Sequence, residues 1–173
     1  MTIVVCPLSR VTEMIDVHTP ERVVSLLDPD FAMPELGPSY RGRHLRLAFH
    51  DTHRDTEHQV MPSHEHISDL LSFLVKWQRT APILFHCRAG IGRSTATAFV
   101  AGCLHSPRTN EEEIAVALRR AAPFARPNET IVGLADRAMG RRGRMIKAIA
   151  DTALGLPWPD MDEGAPFTMA PMY

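Results

Sequence analysis

The chain has 173 residues, of which 45% are hydrophobic and 23% charged, with a formal net charge of −1. That length supports one domain with a sizeable core, the composition is that of a globular protein, and the near-zero charge excludes a general polyanion binder. Three cysteines make no disulfide framework and fit a reducing cytoplasm. No apolar run approaches a membrane span, and Ile3–Cys6 is too short for the apolar part of a signal segment.

In chain order, Ile3-Val4-Val5-Cys6 reads as a first strand stopped by Pro7, and Ser9 as the cap of a short helix through Val17. Arg22 to Leu27 is a second strand. Residues 30–42, with Pro34, Gly37 and Pro38, form a loop. His44 to Phe49 alternates as a third strand, and Asp51 to Pro62 is a polar loop. Ile67, Leu70, Leu71 and Leu74 stand at helical spacing within Ser63–Gln78. Asn110 followed by three glutamates starts a helix, as does Pro127-Asn128-Glu129, with Gly140 as a C-cap. A last helix runs from about Arg144 to Leu154. Residues 1–155 are expected to form a single domain and residues 156–173, rich in proline, an irregular tail.

The densest signal is the stretch Ile83-Leu84-Phe85-His86-Cys87-Arg88-Ala89-Gly90-Ile91-Gly92-Arg93-Ser94-Thr95-Ala96. It reads as a buried strand, a tight loop and a closely packed helix. Such a turn aims successive backbone N–H groups at one point and adds the helix dipole, which makes an anion cradle. Gly90 and Gly92 are expected to permit positive φ. A cysteine at the base of the cradle is expected to be largely thiolate, and Arg93 offers a planar fork for two phosphoryl oxygens. Nucleophile, cradle and clamp together indicate phosphate-ester chemistry, with Cys87 and Arg93 catalytic and Arg88, Ala89, Gly90, Ile91 and Gly92 binding substrate. The Ser94 hydroxyl, just past the arginine, is placed to donate to the Cys87 sulfur.

His86-Cys87-x5-Arg93-Ser94 resembles the signature loop of the cysteine-dependent protein tyrosine phosphatase superfamily, and the short chain resembles its small dual-specificity-type (bacterial-type) members. The resemblance implies an α/β fold with a central, mostly parallel sheet of four to five strands flanked by helices, and the active loop at the C-terminal end of a strand. It implies hydrolysis of phosphate monoesters without metal or other cofactor. The leaving oxygen needs a proton from a loop that closes on the cradle. In the family an aspartate after a strand supplies it, and Asp51 at the strand–loop junction is preferred over Asp55. Ser94 would help the sulfur leave. His86 is expected to point away and bond to backbone, and Asn128 to act as a structural cap. Phe49-His50 stands where the family's classical members have Trp-Pro, and Tyr40 is the one candidate for a phosphotyrosine-recognition tyrosine.

A non-catalytic phospho-group binder and a phosphoinositide or RNA-end phosphatase using the same loop are the alternatives. A metal enzyme is the rival chemistry: His50, Asp51, His53, Asp55, Glu57, His58, His64, Glu65 and His66 crowd one region. They lack the i, i+4 spacing of metalloprotease helices and a cysteine pair, so a polar loop is the reading kept. Arg141-Arg142-Gly143-Arg144 is too short, and too poor in aromatics, for a nucleic-acid surface. The expected partner is a phosphorylated protein or small phosphate ester, with neither nucleic acid nor membrane. An oxidative disulfide from Cys87 to Cys6 or Cys103 is a further hypothesis.

Overall fold

A computed structural model describes residues 2–52, 57–153 and 160–170. Strands β1 (Ile3–Pro7), β2 (Arg22–Leu27), β3 (His44–Ala48), β4 (Ile83–Cys87) and β5 (Phe167–Met169) form one sheet in the order β3-β2-β4-β1-β5. All pairings are parallel except that of β5 with β1. β1 and β4 are buried at every residue, the signature of strands covered on both faces. Helix α1 (Val11–His18) lies on one side, where Val11 and Met14 pack against Val4, Cys6, Val23 and Leu84. The other face is covered by α2 (His64–Val75), α3 (Arg93–His105), α4 (Glu111–Ala121), α5 (Glu129–Ala138) and α6 (Arg144–Ala153). Ile3, Val5, Val24, Leu26 and Phe85 face that larger core.

α3 is the helix that follows the signature loop, and it is buried from Arg93 to Cys103. Its small residues make this central position possible: a Cβ on Gly102 would stand 2.9 Å from Ile114 Cγ2 of α4. Asn110 accepts from the Glu112 N–H and Asn128 from the Ile131 N–H, so both expected caps are formed. Ser63 opens α2 in a reciprocal capping box with His66.

Two expectations are corrected. Ser9 does not cap a helix: it sits in a short 3-10 turn (Leu8–Arg10), and its hydroxyl donates to Glu163. The segment expected to be an irregular tail contains β5. Met169 enters the core beside β1 while Thr168 faces out, and the pairing satisfies backbone groups on an otherwise open sheet edge. Among the described residues, no helix is long and apolar enough to cross a membrane. Cys6, Cys87 and Cys103 are free thiols. Burial pushes the Cys6 and Cys103 thiols up to about 12, so neither is a nucleophile near neutral pH.

Candidate active site

β4 delivers Cys87 to the end of the sheet, and the chain then turns through residues 88–92 into α3. The carbonyls of Arg88, Ala89, Ile91 and Gly92 are tied outward. Arg88 O accepts from the Leu8 N–H at 3.1 Å, Ala89 O from Gly164 at 2.8 Å, Ile91 O from Arg126 at 2.9 Å, and Gly92 O from Ala96 at 3.0 Å and Asn128 at 3.3 Å. The Thr95 hydroxyl adds a bond to Ile91 O at 2.5 Å. A trans peptide with its carbonyl turned outward aims the next N–H inward, so the amides of Ala89, Gly90, Gly92 and Arg93 converge on the sulfur side. The Gly90 N–H donates to Cys87 Sγ at 3.2 Å, and Ser94 Oγ lies 3.1 Å from the same sulfur.

The two loop glycines act differently, which corrects the expectation of positive φ at both. Gly90 has φ +73°, and a Cβ there would stand 2.8 Å from Pro7 N. Gly92 has φ −100°; what it supplies is space, because a Cβ would fall inside the Asp51 carboxylate.

Asp51 follows β3, and its Oδ1 accepts from Asn128 Nδ2 at 2.7 Å. Its Oδ2 lies 3.8 Å from Arg93 Nε. Asn128 thus joins a cap to the candidate acid, a contact beyond its expected structural role. His50 pins the base of this loop: its N–H donates to Val60 O at 2.8 Å and its Nδ1 accepts from the Val60 N–H at 2.9 Å. Asp55 and His53 lie outside the described residues.

The Arg93 side chain is 3% exposed. One guanidinium nitrogen donates to Asp28 Oδ1 at 2.5 Å and to Phe49 O at 2.6 Å. Its Nε is buried without a hydrogen-bond partner among the described residues, on the side facing Asp51. One edge of the fork is anchored while the other has a donor to give. Asp28, at the end of β2, carried no sequence signal for this role: the two residues are far apart in the chain, and Asp28-Pro29 reads simply as a strand stop.

Ala89, Ile91 and Gly92 line a cavity of about 320 Å³ together with Asp51, Arg126, Met161 and Asp162. Arg88 is exposed at the rim, with its guanidinium 5.1 Å from the centre of the Phe31 ring. A larger cavity of about 600 Å³ at the edge of β3, lined by Tyr40, Arg41, His44 and Arg46 among others, contains neither Cys87 nor Asp51. Among the described residues, no group of three His, Cys, Asp or Glu is placed to hold a metal. Arg141 and Arg144 pair with Glu111, and Arg141 also donates to Cys103 O; these two arginines of the basic run lock α4 to the turn before α6 and to the first residue of α6.

His86 bonds to a side chain, which corrects the expected backbone partner. Ser25 is its direct neighbour on β2, and Ser25 Oγ lies 2.6 Å from His86 Nε2 and 2.7 Å from His44 Nε2. Arg46 Nε donates to His44 Nδ1, so neutral His44 carries its proton on Nε2 and gives it to Ser25, which donates onward to His86. Burial, aided by His44 and Arg93, holds His86 at about 3; burial and Arg46 hold His44 at about 4. Unfolded, each titrates near 6.5, so the unfolded chain binds more protons between those values. The stabilisation is complete above pH 6.5 and is lost as pH falls toward the folded values. His86 alone is expected to remove about 2 kcal/mol of unfolding free energy between pH 7 and pH 5, measured by urea denaturation. Equal stability at both values would mean that the imidazoles titrate in the folded chain as they do in the unfolded one.

No curated protein matches the sequence. The family model described as protein-tyrosine phosphatase matches residues 40–123, which include the signature loop. Among solved structures, the chain is similar to DUSP15 at 16% identity, covering 91% of this chain and 94% of that one, with TM-score 0.59. For human DUSP28 the identity is 14%, the coverage 81% and 94%, and the TM-score 0.59. For the human tyrosine phosphatase-like serine/threonine/tyrosine-interacting protein the values are 14%, 78% and 85%, and 0.55. At these identities the likeness to the solved structures is one of fold, and across residues 40–123, the cysteine loop included, the sequence is similar to protein-tyrosine phosphatases.

Proposed function

We propose that the chain hydrolyses phosphate monoesters through a phosphocysteine on Cys87. The observation that carries this reading is the sulfur at the focus of inward-turned amides, with Ser94 Oγ 3.1 Å away and the Asp51 carboxylate against Gly92. In the first step the Cys87 thiolate attacks phosphorus, and the bond to the leaving oxygen breaks. Asp51 gives its proton to that oxygen, while Arg93 and the loop amides hold the equatorial oxygens. In the second step a water attacks phosphorus and passes its proton to the Asp51 carboxylate. The S–P bond then breaks, inorganic phosphate leaves, and the Ser94 hydroxyl donates to the departing thiolate. Asn128 holds the Asp51 carboxylate for both transfers. Asp28 and the Phe49 carbonyl hold Arg93. These residues complete the chemistry, and no step calls for a metal ion. The three free thiols fit a cytoplasmic setting.

The test is hydrolysis of p-nitrophenyl phosphate in EDTA, with acid quenching to trap the intermediate. Nitrophenolate leaves with little help, so Asp51→Asn is expected to slow the second step more than the first and to accumulate phosphate on Cys87, read as a mass increment on its peptide. Asp55→Ala should behave as the parent does. Turnover lost in EDTA, with no phosphate on Cys87, would overturn the mechanism. Tight phosphopeptide binding without any turnover would favour the binding-module reading.

A further inference from the structure

Residues 160–164 run along the rim of the candidate active site and are fastened to the signature loop itself. The Gly164 N–H donates to Ala89 O, the Glu163 carboxylate accepts from Ser9 Oγ at 2.6 Å, and Phe167 stacks edge-on against Phe124 with centroids 6.1 Å apart. β5 then anchors the segment to β1, with Val5 opposite Phe167 and Ile3 opposite Met169. Met161 and Asp162 line the cavity together with Asp51 and Gly92. Met161 is 46% exposed, an apolar side chain at the mouth of a polar site. Asp160 and Asp162 are exposed, and neither has an ion-pair partner among the described residues.

An exposed carboxylate on the lining of a site built for an anion, that of Asp162, works against binding of the phosphoryl group alone. It becomes favourable when the ligand brings a cation of its own to the rim. A second phosphate on the ligand would meet Asp162 there, and the one cation among the cavity-lining residues, Arg126, lies near the Ile91 end of the loop.

We propose that the acidic C-terminal strap is the specificity element of this enzyme: Met161 packs on the leaving group and Asp162 selects a singly phosphorylated protein segment with Lys or Arg beside the phosphorylated residue. This inference rests on the proposed phosphomonoesterase reading. Selection acts on binding through contacts at the rim, so it appears in KM more than in kcat. An exposed charge pair of this kind is worth about two- to fivefold in affinity.

The experiment compares two phosphotyrosine peptides, one flanked by Lys and one by Glu, on the full chain with and without Asp162→Asn and Asp162→Lys. The ratio of kcat/KM, Lys-flanked over Glu-flanked, is expected to exceed one in the parent, to fall about two- to fivefold in Asp162→Asn, and to invert in Asp162→Lys. Met161→Ala should raise KM for aryl phosphates about threefold through lost thioether–ring contact. Gly164→Ala drives a Cβ into the Phe124 ring and should erase the preference by lifting the strap. The same peptide ratio, titrated as affinity on Cys87→Ser, reads the strap without turnover. An unchanged ratio in Asp162→Lys, by turnover or by affinity, would overturn the proposal while leaving the phosphatase reading intact. Absent parent turnover with a charge-dependent affinity ratio would do the reverse. A doubly phosphorylated peptide or inositol polyphosphate preferred by the parent would also overturn it.

Discussion

A Cys87→Ser variant is expected to lose turnover of p-nitrophenyl phosphate by about 10⁴-fold or more while keeping its fold and its affinity for oxyanions. The substitution replaces one buried atom and preserves the contacts around it. Serine Oγ can accept from the Gly90 N–H as Sγ does, and it remains within reach of Ser94. The loop carbonyls stay tied to Leu8, Gly164, Arg126 and Asn128, so the inward amides and Arg93 still hold tungstate or a phosphopeptide. What is lost is chemistry: an alkyl alcohol is a far poorer nucleophile than a thiol at neutral pH, and the groups bonded to position 87, the Ser94 hydroxyl and the Gly90 N–H, are not bases that could activate it. Steady-state kinetics, tungstate titration and a urea melt check the three parts separately. Retained turnover with the loop intact would remove Cys87 from the nucleophile role.

Much of this site was legible because its signal is local. The apolar run Ile83–Phe85, the loop glycines and the small residues of α3 specify strand, turn and helix within one short stretch, and backbone geometry does the rest. Caps at Asn110 and Asn128 were legible for the same reason, since a cap acts within its own first turn. What escaped depends on sheet order. Ser25 meets His86 because β2 lies beside β4, and Asp28 meets Arg93 because the end of β2 arrives next to the start of α3. Neither neighbour can be read from a chain in which the two partners are dozens of residues apart. Gly92 shows a different limit. A glycine in a tight loop suggests left-handed backbone, but here it makes room for Asp51, and that need arises only when the acid loop folds over the cradle. β5 was hidden because three residues among prolines show too little alternation to outweigh turn signals; the open edge of β1 defines it.

The second large effect is expected at the anchored arginine. Arg93→Lys should lower kcat/KM by about 10³-fold, because a single ammonium cannot bond to Asp28 and Phe49 O on one edge while presenting a donor to phosphoryl oxygens on the other. Asp28→Asn tests whether the anchor itself matters. It keeps the shape and one acceptor but removes the nearer of the two carboxylates that face a cation 3% exposed, the Asp51 carboxylate lying farther off at 3.8 Å, and breaking a buried pair costs about 3 kcal/mol. Some of that strain is relieved when a phosphate dianion enters the cradle and supplies the missing charge. Asp28→Asn should therefore be destabilised in urea, partly rescued by added phosphate, and slowed by about 10- to 100-fold in kcat/KM, since the guanidinium no longer waits in one orientation. The phosphate dependence of the melt separates this account from a generic packing defect, which phosphate would not repair selectively. If Asp28→Asn melts and turns over as the parent does, the Phe49 carbonyl alone positions Arg93, and the carboxylate at the end of β2 has no part in the clamp.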